Sequence, residues 1–170
     1  MDQNLRWELV EEAIELLREK DYSGAERELN DAIKRDPGNP YAWNFLGVLH
    51  FERTEFDKSL AAYREAIRLS PRYLGAILGM AHSLRMLGKL DEAIAISERT
   101  LKLVHTETGV EDADLHWLLA LAYAAKGKVD AAIRHAEQFL STHPELEARA
   151  EAEALLQSLR LKVRPLKSVD

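Results

Sequence analysis

Apolar residues along this chain recur at helical spacing in short blocks, and each block is followed by a second of similar length. In the first stretch Leu9, Ala13 and Leu16 mark one helix face, and Ala25, Leu29, Ala32 and Ile33 mark the next. Between them Lys20-Asp21-Tyr22-Ser23-Gly24 reads as a short turn. Asp36-Pro37-Gly38-Asn39-Pro40 closes the pair, because proline cannot continue a helix and Gly-Asn suits a left-handed exit. The arrangement returns with a period of 34 residues, over 6–39, 40–73, 74–107 and 113–146. One column of this register holds Ala13, Gly47, Ala81 and Ala120, and another holds Ala25, Ser59, Ala93 and Ala132. Small residues at fixed places let helices approach closely, and a repeated unit that cannot bury its own apolar face must stack on its neighbours.

The second copy carries Trp43, Leu46, Gly47, Ser59, Tyr63, Ala66 and Pro71, and the fourth carries Leu119, Ala120, Tyr123, Gly127, Ala132 and Pro144. This pattern resembles the tetratricopeptide repeat. The resemblance covers residues 6–146. It implies an all-α, right-handed superhelical solenoid of four helix pairs. It also implies that the first helix of each pair lines a concave groove used for peptides or partner proteins.

Departures from the pattern carry their own expectations. Glu12 and Glu26 stand where later copies are apolar, which fits a solvent-facing end of the array. Phe139 replaces a small residue and suits different packing against a terminal cap. His105 replaces a helix-ending proline, and Thr108 to Asp112 are extra, so the second helix of copy three is expected to run on to about Gly109 before a loop. Ala148, Ala152, Leu155, Leu156 and Leu159 then form one stripe, predicting a capping helix over 147–160. Residues 1–160 read as a single repeat domain and 161–170 as a basic tail.

Charge and composition narrow the function classes. Net charge is −6, yet residues 160–170 hold four basic residues against Asp170. An acidic body argues against nucleic acid as a partner. No run of residues is long and apolar enough for a membrane span. No secretory signal stands at residues 1–12, and the chain has no cysteine; the reading is a cytoplasmic protein. There is no phosphate-binding glycine loop or nucleophile motif, and none of the six histidines pairs at ligand spacing. The expectation is therefore a non-enzyme without cofactor or metal.

The groove is the candidate site. By the resemblance its places hold Trp7, Val10, Ile14 and Leu17, then Tyr41, Asn44, Phe45, Val48 and Phe51. The third copy supplies Gly75, Leu78, Gly79, His82 and Arg85, and the fourth Asp114, Trp117, Leu118 and Leu121. Such a surface is apolar for one facing solvent, which marks an interaction site unless neighbouring first helices bury it. Gly75 and Gly79 either make a floor that a ligand approaches closely, or reflect a cheap first-turn glycine and space filled by Phe45. Some members of the family clamp a chaperone's terminal carboxylate with Lys, Arg and Asn. The matching places here hold Val10, Ile14, Phe45, Gly75 and Gly79, which argues against that role. The leading expectation is a protein-binding module for an apolar or amphipathic segment. A self-assembling scaffold, possible as a homo-oligomer, and a secretion-type chaperone for a hydrophobic client are the alternatives.

Overall fold

The computed structural model describes residues 2–108 and 112–163, and all regular structure among them is helical. Two compact units divide the chain, Met1–Gly88 and Lys89–Asp170. The division falls inside the third 34-residue copy, between its two helices.

The first unit contains α1 (Gln3–Glu8), α2 (Glu11–Arg18), α3 (Tyr22–Arg35), α4 (Pro40–Glu52), α5 (Phe56–Leu69) and α6 (Leu74–Met86). Consecutive helices from α2 onward pack on one another, and α4 also touches both α2 and α6. The first helices of the successive pairs therefore lie side by side. Their sequences explain the position. α4 and α6 are apolar around most of their circumference, whereas α3 and α5 are amphipathic with one charged face. A helix apolar all round needs cover on several sides.

Local signals set the ends. Asn39 caps α4, its Oδ1 accepting from the Tyr41 and Ala42 N–H groups, and Pro40 occupies the first turn, where no N–H is needed. Asp21 caps α3 by accepting from the Gly24 N–H at 2.9 Å. Tyr22-Ser23-Gly24 thus belong to the first turn of α3, where the sequence reading placed a turn. The left-handed exits after the first helices stay in register at Lys20 (φ 62°), Thr54 (φ 59°) and Gly88 (φ 73°).

The core follows the small columns. Ala13, Ala25, Ala81 and Ser59 are fully buried. Ser59 Oγ donates to the Gly47 carbonyl at 2.8 Å and lies 3.0 Å from Ser83 Oγ, which satisfies the hydroxyl in the interior.

The second unit contains α7 (Leu90–Thr108), α8 (Ala113–Ala125), α9 (Val129–Ser141) and α10 (Leu146–Val163), each packed on the next. Ala120 of α8, Ala136 of α9 and Leu156 of α10 share one core cluster. Gly127 (φ 74°) makes the exit between α8 and α9. α7 runs to Thr108, close to the expected end near Gly109; the loop residues 109–111 lie outside the described residues. α10 continues past the expected 147–160 to Val163, so Leu161 is helical and exposed. The remainder of the basic tail, 164–170, lies outside the described residues.

Candidate functional site

The continuous first helix implied by Leu9, Ala13 and Leu16 is broken at Leu9–Val10 into α1 and α2. α1 has six residues, too few to persist alone. Ties from the turn before α4 hold it. Asn39 Nδ2 donates to the Arg6 carbonyl at 2.8 Å, and Arg6 Nε donates to Asp36 Oδ2 at 2.7 Å. Gln3 Nε2 donates to Tyr41 Oη at 2.6 Å. The result fixes Trp7 against α4.

A row of aromatic rings follows. Trp7 meets Tyr41 edge-on at 5.2 Å between centroids and Phe45 at 5.9 Å. Tyr41 in turn meets the edge of Tyr73 at 5.5 Å. These are the favoured separations and tilts for aromatic pairs. Trp7 remains 41% exposed, while Tyr41, Phe45 and Tyr73 are half-buried. Burial pushes the Tyr73 hydroxyl up to about 12, with the neighbouring Tyr41 adding to it. The Tyr73 ring is therefore uncharged at neutral pH.

Further along the same helices, Phe51 contacts Phe56 at 5.3 Å and His82 at 6.3 Å. Burial, then the charge of Arg85, brings the His82 pKa down to about 4, so the imidazole is neutral. Arg85 is half-buried, and its Nε has no hydrogen-bond partner among the described residues.

Of the residues expected in the groove, Ile14, Val48, Leu78 and Gly79 are half-buried in the first unit, as are Tyr41, Phe45, Phe51 and His82. Gly75 is exposed. Val10 is fully buried, because the break before α2 turns it into the core beside Ala13 and Leu29. Asn44 is also buried; its Oδ1 has no partner among the described residues and faces the bare Cα of Gly75. In the second unit Leu118 is fully buried, whereas Trp117 and Leu121 are half-buried. Val10 and Leu118 thus present no area to a ligand. Trp117 stacks on Phe139 at 5.2 Å, which accounts for the large residue in that otherwise small column.

The two glycines have separate explanations. Gly75 is the second residue of α6, in the first turn. A Cβ on Gly79 would collide with the Tyr63 ring, and one on Gly47 would stand 2.7 Å from it. Tyr63, rather than Phe45, fills the space above Gly79.

Three polar pairs escaped the sequence reading. His116 Nδ1 lies 2.9 Å from His135 Nδ1, with Tyr123 stacked on His135 at 5.6 Å. His50 Nδ1 lies 2.7 Å from Glu55 Oε2. Tyr123 Oη donates to Glu98 Oε1 at 2.5 Å, and that bond is the main cause of its pKa rising to about 12. The partners come from different helices or flank a turn, and no short motif marks them. Among the described residues no three His, Asp or Glu side chains converge to hold a metal ion, and no helix is long and apolar enough to cross a membrane.

Comparison with known proteins places this geometry. The Tetratricopeptide repeat family matches residues 10–73 and 78–147. Anaphase-promoting complex subunit 7 of Arabidopsis thaliana is 30% identical over 119 residues, which is 69% of this chain and 20% of that protein. The chain spans a fifth or less of the length of the curated relatives it matches. Among solved structures, yeast Tom70 aligns with a TM-score of 0.79 at 20% identity, over 96% of this chain and 34% of that one. A thermophilic TPR protein of Thermus thermophilus aligns with a TM-score of 0.72 at 22% identity, over 92% and 82% of the two chains. With both halves of the sequence matched and its helices packed in successive pairs, the chain belongs to the tetratricopeptide repeat family.

Proposed function

We propose that this protein is a non-enzymatic binding module whose first unit holds an apolar or amphipathic segment of a partner protein. The row Trp7–Tyr41–Tyr73, with Phe45 leaning on Trp7, carries the reading. These rings offer large, partly solvated apolar area in fixed orientations, the property that makes aromatic side chains effective anchors. A segment laid across α4 would meet them at regular intervals, as in helix-in-groove or extended-peptide recognition. That the Arabidopsis relative is by name a subunit of a multiprotein complex agrees with this class of function. No partner chemistry beyond apolar contact is needed for this reading.

The test is affinity capture on the full chain, comparing wild type with Trp7→Ser and Phe45→Glu. Trp7 is exposed, so its loss leaves the core intact, whereas a glutamate at 45 sets an unpaired charge in an apolar contact. A partner held by this face is expected to weaken at least about tenfold in either variant with helicity unchanged. A partner that binds both variants like wild type places the site elsewhere. Light scattering of the purified chain separates self-assembly from a monomeric receptor.

A further inference from the structure

We infer that the Trp7 end of this surface receives a lysine or arginine side chain of the bound segment. This rests on the binding reading above and adds the partner's chemistry to it. A pocket of about 360 Å³ opens there, lined by Trp7, Glu11, Glu12, Ile14, Glu15 and Arg18.

The charges in it are not balanced. Arg18 Nη1 donates to Glu15 Oε1 at 2.5 Å, so those two satisfy each other. Glu11 and Glu12 form no ion pair among the described residues. Two carboxylates in the first turn of α2, neither in an ion pair among the described residues, therefore line the same pocket as an indole that is 41% exposed. The indole is already oriented without a ligand, because its ring is set edge-on against Tyr41 and Phe45. A fixed indole face attracts a cation placed within about 6 Å of it. Ile14 completes the fit, since lysine and arginine lay an apolar stem along such a side chain while the charged head reaches the carboxylates.

The same arrangement rejects an acidic segment, which would meet like charge at Glu11 and Glu12. It also gives the bound chain a direction. The basic residue sits at the α1–α2 end, and the apolar anchors lie on Tyr41 and Phe45. This inverts the polarity of the carboxylate-clamping members of the family, whose clamp is built from Lys, Arg and Asn.

The probe is the heptapeptide copied from residues 161–167, Leu-Lys-Val-Arg-Pro-Leu-Lys, which sets three basic residues among apolar ones. Its control replaces every basic residue with glutamate. Fluorescence anisotropy of the labelled peptides is followed on the full chain. The basic peptide is expected to bind at least about tenfold more tightly than the acidic one, with affinity falling as salt rises. The double variant E11Q/E12Q is expected to lose about fivefold or more for the basic peptide and to flatten the salt dependence. Trp7→Leu should weaken it in the same direction. Equal binding of the two peptides, wild-type affinity in E11Q/E12Q, or no saturation by the basic peptide up to about 1 mM overturns the inference. Phe45→Glu separates the two readings. If both peptides bind alike and both are lost in Phe45→Glu, the apolar surface stands and the cation pocket falls. If only E11Q/E12Q matters, the pocket stands and the apolar surface falls.

Discussion

The ring of Tyr63 occupies the space where a Cβ on Gly79 would be, and the same ring lies against Gly47. Two glycines on different helices thus accommodate one buried tyrosine. Gly79→Ala would gain about 1 kcal/mol of helix propensity. The collision with a packed ring outweighs it, for a net loss of about 1–3 kcal/mol. Urea denaturation should show the midpoint falling. In a Tyr63→Leu background the alanine should cost far less, and an equal cost in both backgrounds would show that the ring is not the reason for the glycine.

Thr54 adopts a left-handed backbone at the place where Gly88 makes the equivalent exit. A β-branched residue is strained there by about 1–2 kcal/mol, and it is exposed, so nothing in the core depends on its side chain. Thr54→Gly should raise stability by about 1 kcal/mol, part of the relief being offset by the greater freedom of glycine in the unfolded chain. The expected signature is a higher urea midpoint with an unchanged m-value. A lower midpoint would refute it.

His82 sets a pH dependence with a defined sign. Its folded pKa is about 4 against an ordinary value of 6.5. Between these values the unfolded chain binds the proton and the folded chain does not. Its contribution to stability is therefore complete above about pH 6.5 and is lost as pH falls toward 4, by about 3 kcal/mol in all. Denaturation of wild type and His82→Phe at about pH 7 and about pH 4.5 isolates this contribution from that of the carboxylates. The variant should lose less stability on acidification, and parallel losses would contradict the assignment.

Ala120 is fully buried where α8, α9 and α10 share a core. Ala120→Leu should destabilise the protein by about 1–3 kcal/mol through overpacking. An unchanged thermal midpoint would mean that the crossing has room the packing does not show.

How far the sequence reached depends on the range of the interactions involved. The alanine columns at 13, 81 and 120 were legible because the 34-residue spacing repeats a purely local demand, a small residue at a close crossing. The break between α1 and α2 was not legible, since Leu9, Ala13 and Leu16 read as one continuous helix. What breaks it is contact between Arg6 and residues Asp36 and Asn39, about thirty positions later. Val10 illustrates the same limit. The repeat register assigns it to the groove, but the break rotates it inward. His116 and His135 face each other across the α8–α9 turn, and neither column holds a histidine in another copy, so repetition offered no signal. The aromatic row was half legible. Trp7, Tyr41 and Phe45 stood at groove places, whereas Tyr73 joined them from just ahead of α6.

The amide of Asn39 has a consequence for which sequences this position tolerates. Its oxygen starts α4 and its nitrogen holds the carbonyl of Arg6, so one buried side chain must accept and donate at once. Aspartate would keep the helix start and lose the grip on α1, because a carboxylate has no proton to give. Serine or threonine carries a single hydroxyl, too short to serve two backbones facing different ways. A substitution that looks harmless on helix-capping grounds would therefore release Trp7, the neighbour of Arg6, without unfolding the helix it was chosen to preserve. If the aromatic row binds a partner as proposed, variation at position 39 would be read out as altered recognition, although the residue itself is fully buried.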